Sequence, residues 1–489
     1  MHDEPLIFER GSPGRVGWEV AGSEAAVELP AQLRREDDLA GFPEVGELEV
    51  LRHFLRLSQW NYSAATTMYP LGSCTMKYNP VVNEQLARLP GFARLHPLAP
   101  EALAQGALAV LAELEDWLKA VSGLDAVALQ PAAGAQGELL GMLLVRAYHA
   151  DRGGPRKRVL IPASAHGTNP ASSALCGYGV TEIPIGDSGT LEPERVAAVM
   201  DESVAALMVT NPNTLGLFEG EIERVVHVVH ERGGLVYMDG ANMNALLGVA
   251  RPGDMGVDVM QFNLHKTFST PHGGGGPGAG PVAVRAPLAE YLPVPRLARG
   301  PDGLRWDHRP GKSVGRVHGF YGNFGILLRA LAYMLRLGGT GLRDVTRYAV
   351  LNASYLRSQL VGDYHLAYDG PSMHECVLSD RLQQAHGVQT MDIAKRLLDF
   401  GFYAPTIYFP LVVKGALMIE PTETESRETL DAFIAAMRAI AREARERPET
   451  VREAPHSTRI GRLDETRAAR RPVLRWRPPA QSPGETEEN

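Results

Sequence analysis

Between residues 158 and 284 the chain alternates short apolar runs with stretches of helical periodicity, and this alternation constrains the fold more than any other feature. Runs at 158–162, 180–185, 205–209, 235–238, 257–264 and 281–284 read as strands, and 219–232 reads as a helix. Apolar strands separated by helical stretches predict an α/β domain, with a mostly parallel sheet covered on both faces. Such sheets bind ligands beyond the carboxyl ends of their strands. The chemically distinctive residues fall there: His166, Asn211, Asp239 and Lys266.

The flanking segments extend this plan. Apolar spacing predicts helices at 101–121 and 137–149, before the first strand. Two longer helices, 321–336 and 342–360, lead to a smaller α+β unit with strand-like 375–378 and 411–419 and helices at 392–399 and 425–445. Residues 1–60 read as an extended arm with short helices. The tail from Glu446, rich in Glu, Arg and Pro, reads as a second arm whose composition favours disorder at its end. The expected organisation is an arm and active-site loop (1–95), a large domain (96–340), a small C-terminal domain (341–445) and a tail (446–489). No internal repeat is visible.

Composition removes several function classes. The 57 acidic residues exceed the 49 basic ones, giving a net charge of −8. A nucleic-acid surface would normally show as a basic patch. The longest apolar runs fall short of the ~18 residues that a membrane helix needs. Met1-His2-Asp3-Glu4-Pro5 has neither the basic nor the apolar region of a secretory signal. Cys74, Cys176 and Cys376 are odd in number and far apart, which argues against a disulfide framework or zinc cluster. The expectation is a cytoplasmic protein with no metal, no nucleic-acid partner and no membrane span.

Six segments carry the chemistry. In Asn263-Leu264-His265-Lys266-Thr267-Phe268 a lysine follows a strand and precedes a glycine run, Gly273–Gly276. A lysine in a crowded, partly desolvated site is a nucleophile toward carbonyls; the rival reading is a surface lysine beside a turn. Asp239 ends an apolar strand and needs a cationic or donor partner, or else caps the next helix. His166, in Pro162-Ala163-Ser164-Ala165-His166-Gly167-Thr168, could stack on a flat ring or be purely structural. Backbone amides at Ala135 and Gln136 open a helix and could cradle a phosphate. Asn211 follows the third strand and could bond a ring hydroxyl or form an Asx turn. The loop 69–78, varied in functional groups, reads as a binding element that contains Cys74 and Thr75. His227 and His230 read as surface or packing residues. The glycine pattern Gly273-x-Gly275-x-x-Gly278 is no dinucleotide fingerprint, because prolines and a strand follow it. Gly311-Lys312-Ser313 lacks the first glycine of a P-loop, Trp306 standing there.

Together these segments resemble the pyridoxal-phosphate-bearing half of glycine decarboxylase, the P-protein family of the glycine cleavage system. The matching stretches are 69–77, 162–170, 238–244 and 263–268 with its glycine run, then 314–317 and 321–325; the likeness spans nearly the whole chain. It implies the aminotransferase-like type I fold of pyridoxal phosphate enzymes. It implies that Lys266 carries the cofactor as an aldimine, Asp239 pairs with the pyridinium nitrogen, and His166 stacks on the ring. Ala135, Gln136, Thr168 and His265 would help hold the cofactor, Asn211 would meet the ring hydroxyl, and Thr75 and Cys74 would lie near the substrate mouth. The implied reaction is decarboxylation of glycine, with transfer of the aminomethyl group to the lipoyl arm of H-protein. The implied partner is subunit 1 of the same enzyme, two copies of each chain assembling together.

Two rival readings stand beside it. Another pyridoxal enzyme of this fold, an aminotransferase or amino-acid decarboxylase, needs a group for the substrate carboxylate, and Arg316 is a candidate. A non-catalytic subunit predicts loss of the cofactor lysine, whereas Lys266 and Asp239 are both present.

Overall fold

The computed structural model describes residues 4–18, 30–34, 41–272 and 278–475. The glycine run and the end of the tail therefore lie outside the described residues. The chain divides into two compact units, Met1–Ser63 with Arg462–Asn489, and Ala64–Gly461. The expected divisions at 95 and 446 lie inside the larger unit.

In the smaller unit, helix Glu47–Ser58 begins at Gly46, whose N–H donates to Glu49 Oε2 at 2.9 Å. Glu47 and Glu49 place negative charge in its first turn, where the helix dipole favours it. The Glu4 carboxylate gathers Arg10 at 2.6 Å, His53 at 2.8 Å and Arg56 at 3.1 Å.

The larger unit is built on a seven-stranded sheet. Its strands are β1 (Ala126–Ala128), β2 (Arg158–Pro162), β3 (Gly179–Ile183), β4 (Val204–Thr210), β5 (Leu235–Gly240), β6 (Val259–Phe262) and β7 (Val282–Val284). Their order is β1-β7-β6-β5-β4-β2-β3, and only β7 runs antiparallel to its neighbours. Strands β4 to β7 are buried at every position, because helices cover both faces. Tyr237 and Val259 pack against Leu140 and Leu144 of helix Gly134–Asp151. Val236 and Met238 face the other side, where helices Glu101–Ser122 and Ile222–Glu231 contribute Leu111, Leu118, Val225 and Val229. Neighbouring residues of one strand thus serve two cores, so the strands read as unbroken apolar runs.

A hairpin of β8 (Arg296–Gly300) and β9 (Gly303–Asp307) follows the sheet. Its residues are half exposed and mostly charged or small, so no apolar run announced it. The run Phe324–Leu360 is helical except at Gly338, whose φ of 58° and ψ of −176° break it. That break separates the two helices anticipated from the sequence.

The second sheet is antiparallel throughout, with strands β10 (His365–Leu366), β11 (Cys376–Ser379), β12 (Thr406–Ile407) and β13 (Ala416–Ile419) in the order β10-β11-β13-β12. Helices Thr390–Asp399 and Arg427–Glu446 cover it through Ile393, Leu397, Phe433 and Met437. Among the described residues no helix is long and apolar enough to cross a membrane.

Candidate active site

The carboxyl ends of the parallel strands meet in a cleft of about 600 Å³. That is an ordinary size for a small-molecule site, roughly 300–1,000 Å³. His166 and Thr168 reach it beyond β2, Thr210 at the end of β4 and Thr214 beyond it, Asp239 and Asn242 at the end of β5, and His265 and Lys266 beyond β6. Ala135 reaches it from the start of helix Gly134–Asp151. The opposite wall is the loop Gly72-Ser73-Cys74, with Thr406 and Phe409.

Asp239 is buried, so its charge requires partners. Oδ2 accepts from His166 Nε2 at 2.6 Å, and Oδ1 accepts from Gln261 Nε2 at 2.6 Å and from the Ala241 amide at 2.8 Å. Burial alone would raise its pKa, but the hydrogen bond and charge of His166, then Lys266, outweigh that and hold it at about 2. Asp239 is therefore an ionised carboxylate at neutral pH. It also caps the following turn through Ala241, so the two sequence readings of this residue hold together.

His166 answers this charge. Burial works against its protonation, yet Asp239 raises its pKa. Its Nδ1 accepts from the Thr168 amide at 3.2 Å, which fixes the ring. Glu138, which the sequence reading missed, also lines the cleft, 3.9 Å from His166. Burial and the nearby Asp239 charge push Glu138 up to about 7. Asn169 Nδ2 donates to it at 2.7 Å. The signal was available: Glu138 lies on a predicted helix, one turn past the amides singled out there.

Other expected residues divide. His265 lines the cleft, and its Nδ1 accepts from the Ala279 amide at 3.3 Å. Burial, with His272 and Lys266, lowers its pKa to about 3, so it is neutral. Cys74 lines the cleft as a neutral thiol, because burial raises its pKa against the pull of Lys266. Asn211 does not reach the cleft. It is fully buried; its Oδ1 accepts from the Glu219 amide at 3.0 Å, and its Nδ2 has no hydrogen-bond partner among the described residues. The Gln136 side chain also turns away, accepting from the Ala132 amide at 2.6 Å and donating to the Val317 carbonyl at 2.7 Å. Thr75 sits behind the loop, its hydroxyl donating to Glu420 at 2.6 Å. Arg316 is exposed, and among the described residues no arginine lines the cleft. His230 Nε2 donates to Asp258 at 2.7 Å and His227 pairs with Glu231 on the surface, as packing and surface residues should.

Solved structures share this architecture. A crystal structure of glycine decarboxylase (P-protein) in inhibitor-bound form superposes with a TM-score of 0.71 at 22% identity, covering 84% of this chain and 93% of that one. A C-DES mutant with glycine covalently linked to its PLP cofactor superposes with a TM-score of 0.58 at 15% identity, covering 76% and 97%. The fold is that of the type I pyridoxal-phosphate enzymes.

The sequence comparisons narrow the class. Residues 16–298 match the family model for the glycine cleavage system P-protein, and 345–458 match that for the glycine dehydrogenase C-terminal domain. A probable glycine dehydrogenase (decarboxylating) subunit 2 from Halalkalibacterium halodurans is 54% identical over 480 residues, covering 97% of this chain and 98% of the relative. The chain belongs to the glycine cleavage system P-protein family.

The residues present fit pyridoxal phosphate. Lys266 offers an amine for the aldehyde, and Asp239 an ionised carboxylate for a protonated ring nitrogen. The helix starting at Gly134 has no side-chain cap at Ala133, which leaves its first amides available for a phosphate. Thr210 Oγ1 and Asn242 Oδ1 are buried at the cleft without a hydrogen-bond partner, as groups that await a ligand would be.

Proposed function

We propose that this chain is the cofactor-bearing, decarboxylating subunit of a glycine cleavage P-protein, acting on glycine and delivering the aminomethyl group to the lipoyl arm of H-protein. The observation that carries the reading is the convergence of Lys266, ionised Asp239 and His166 at the ends of adjacent parallel strands. Pyridoxal phosphate, when bound, supplies an electron sink for the pair left behind as carbon dioxide departs.

The chain's own residues do the rest. Lys266 provides the anchoring amine. Asp239, ionised and backed by His166, Gln261 and the Ala241 amide, would keep a proton on the ring nitrogen. His166 would bear on the ring from the β2 side, its edge already fixed by Asp239 and Thr168. The first amides of helix Gly134–Asp151, at Ala135 and Gln136, would hold the phosphate by backbone rather than side chain. Thr168 and His265 line the same cavity. The wall of Gly72, Ser73 and Cys74 faces these groups and limits the room beside Lys266.

Among the described residues no arginine lines the cleft, whereas an aminotransferase commonly grips its substrate carboxylate with one. The same reading gives the chain a subunit 1 partner and a cytoplasmic setting, the latter in keeping with three free cysteines. The test is exchange of labelled carbon dioxide into glycine by the chain with its subunit 1. Exchange that depends on a lipoylated acceptor supports the reading; transamination to a 2-oxo acid, without such exchange, refutes it.

A further inference from the structure

Behind the cleft wall stands a buried pair of acids. Strands β11 and β13 pair with Cys376 opposite Ile419, and this register brings Glu375 and Glu420 together at the strand ends. Both are fully buried. Each grips one residue of the wall loop. Glu375 Oε2 accepts from the Ser73 amide at 2.7 Å, and its two oxygens lie 3.0 and 3.1 Å from Ser73 Oγ. Glu420 accepts from the Thr75 amide at 3.0 Å and from its hydroxyl at 2.6 Å.

The surroundings do not neutralise two negative charges. His374 faces both acids, its Nε2 4.0 Å from a carboxylate oxygen of each, and neither ring nitrogen has a partner. Burial and the Lys266 charge lower its pKa to about 3, so it contributes no cation. Lys77 is engaged by Glu423 at 2.7 Å. Glu423 adds a further negative charge near Glu420, and the Lys266 charge acts on both acids. Burial and mutual repulsion raise Glu375 well above the usual carboxylate range, and burial pushes Glu420 up to about 7. Two close carboxyls in one dry site cannot both ionise.

Among the described residues, only Ser73 connects this pair to the cleft by a hydrogen-bonded side chain. Its hydroxyl touches Glu375, and the residue itself lines the cavity beside Cys74. A hydroxyl can accept from one side and donate to the other. We infer that Glu375 and Glu420 hold one shared proton, which Glu375 passes through the Ser73 hydroxyl to the sulfur that leaves when the aminomethyl carbon attacks a lipoyl disulfide.

This step rests on the proposed function, and its balance requires such a donor. As carbon dioxide departs, its bonding pair remains with the aminomethyl carbon. That pair forms the carbon–sulfur bond while the sulfur–sulfur bond breaks. The electrons of the broken bond go to the leaving sulfur, which takes the Ser73 proton as Ser73 takes the one on Glu375. The disulfide is reduced, the glycine carbon is oxidised, and one proton is consumed per turnover and replaced from solvent. Ser73 is the group that meets the sulfur; Glu375 and Glu420 are positioning residues that act through it.

The test combines infrared spectroscopy with transfer to free lipoamide, using the holoenzyme with its partner subunit. Glu138 is also raised to about 7, so the readout is the wild-type minus Glu375→Gln difference spectrum, which should show a carboxylic-acid carbonyl component near neutral pH that belongs to Glu375. Glu375→Gln and Ser73→Ala should slow transfer by about 100-fold, the scale of general acid catalysis, and lose the alkaline limb of the pH profile. Glycine should still perturb the cofactor absorbance in both. Ser73→Ala decides the matter if Glu375→Gln fails to fold. A difference spectrum without a carboxylic-acid component, or variants with wild-type transfer and pH profile, would overturn the relay alone. A wild type that transfers nothing to lipoamide refutes the proposed function, and this step with it.

Discussion

The cleft has two walls, and Asp239 in one and the Glu375–Glu420 pair behind the other are buried carboxyls held in opposite protonation states. On the sheet side, Asp239 meets His166, Gln261 and a backbone amide, and stays ionised at about 2 for its pKa. On the loop side, Glu375 and Glu420 meet each other and a neutral His374, and are pushed toward the protonated form. Burial is common to both walls. The difference lies in what each carboxyl faces: donors and a cation hold the charge on Asp239, while a second acid suppresses it on the glutamates. One site thereby keeps an anion beside Lys266 and, on the proposed reading, a proton behind the opposite wall.

The sharpest way to break the contrast is to remove the sheet wall's chemistry. Lys266→Ala should abolish decarboxylation while phosphate contacts still retain the cofactor weakly, seen as turnover below detection with a changed absorption band. Normal turnover in that variant contradicts the nucleophile assignment. Asp239→Asn should lower kcat by on the order of 100-fold or more, the scale of losing one preorganised electrostatic group. Near-wild-type kcat would reduce Asp239 to its turn-capping bond with Ala241.

The loop wall is tested through its backbone. A Cβ on Gly72 would lie 2.2 Å from Met418 Cγ and 2.7 Å from the Met418 carbonyl oxygen. Gly72→Ala should therefore cost about 1–3 kcal/mol, as overpacking does, read as a lower midpoint in denaturant. An unchanged midpoint would mean that β13 can move aside.

Protonation sharpens the comparison further. Glu420 titrates near 7 in the folded chain, against an ordinary 4.5. Between these values the folded chain holds a proton that the unfolded chain has released, so stability falls as pH rises and the penalty is complete above 7. Glu420→Gln should flatten that slope, comparing unfolding at pH 5 and pH 8. A slope identical to the wild type would show that Glu420 is ionised in the fold. The smallest effect belongs outside both walls: His227→Ala, at an exposed pair with Glu231, should change stability by less than about 0.5 kcal/mol.

The two walls also differ in how far the sequence reveals them. Asp239, Lys266 and His166 each follow an apolar run, and a parallel sheet necessarily gathers its strand ends, so their meeting was legible. The loop wall was not. Ser73 and Thr75 adopt φ of 57° and 47°, a left-handed region that no local pattern signals for such residues. They are held there by Glu375 and Glu420, 302 and 345 positions away. Asn211 marks the limit of that reading: it follows β4 as expected and is fully buried, its Oδ1 engaged by the Glu219 amide while its Nδ2 has no partner among the described residues. Strand ends locate residues, whereas side-chain direction depends on packing that periodicity does not encode.

The central claim is tested most directly by reducing the holoenzyme with borohydride and mapping the modified peptide by mass spectrometry. The account predicts a pyridoxyl phosphate group on Lys266, in the peptide containing Asn263-Leu264-His265-Lys266. Modification of another lysine, or none at all, contradicts it.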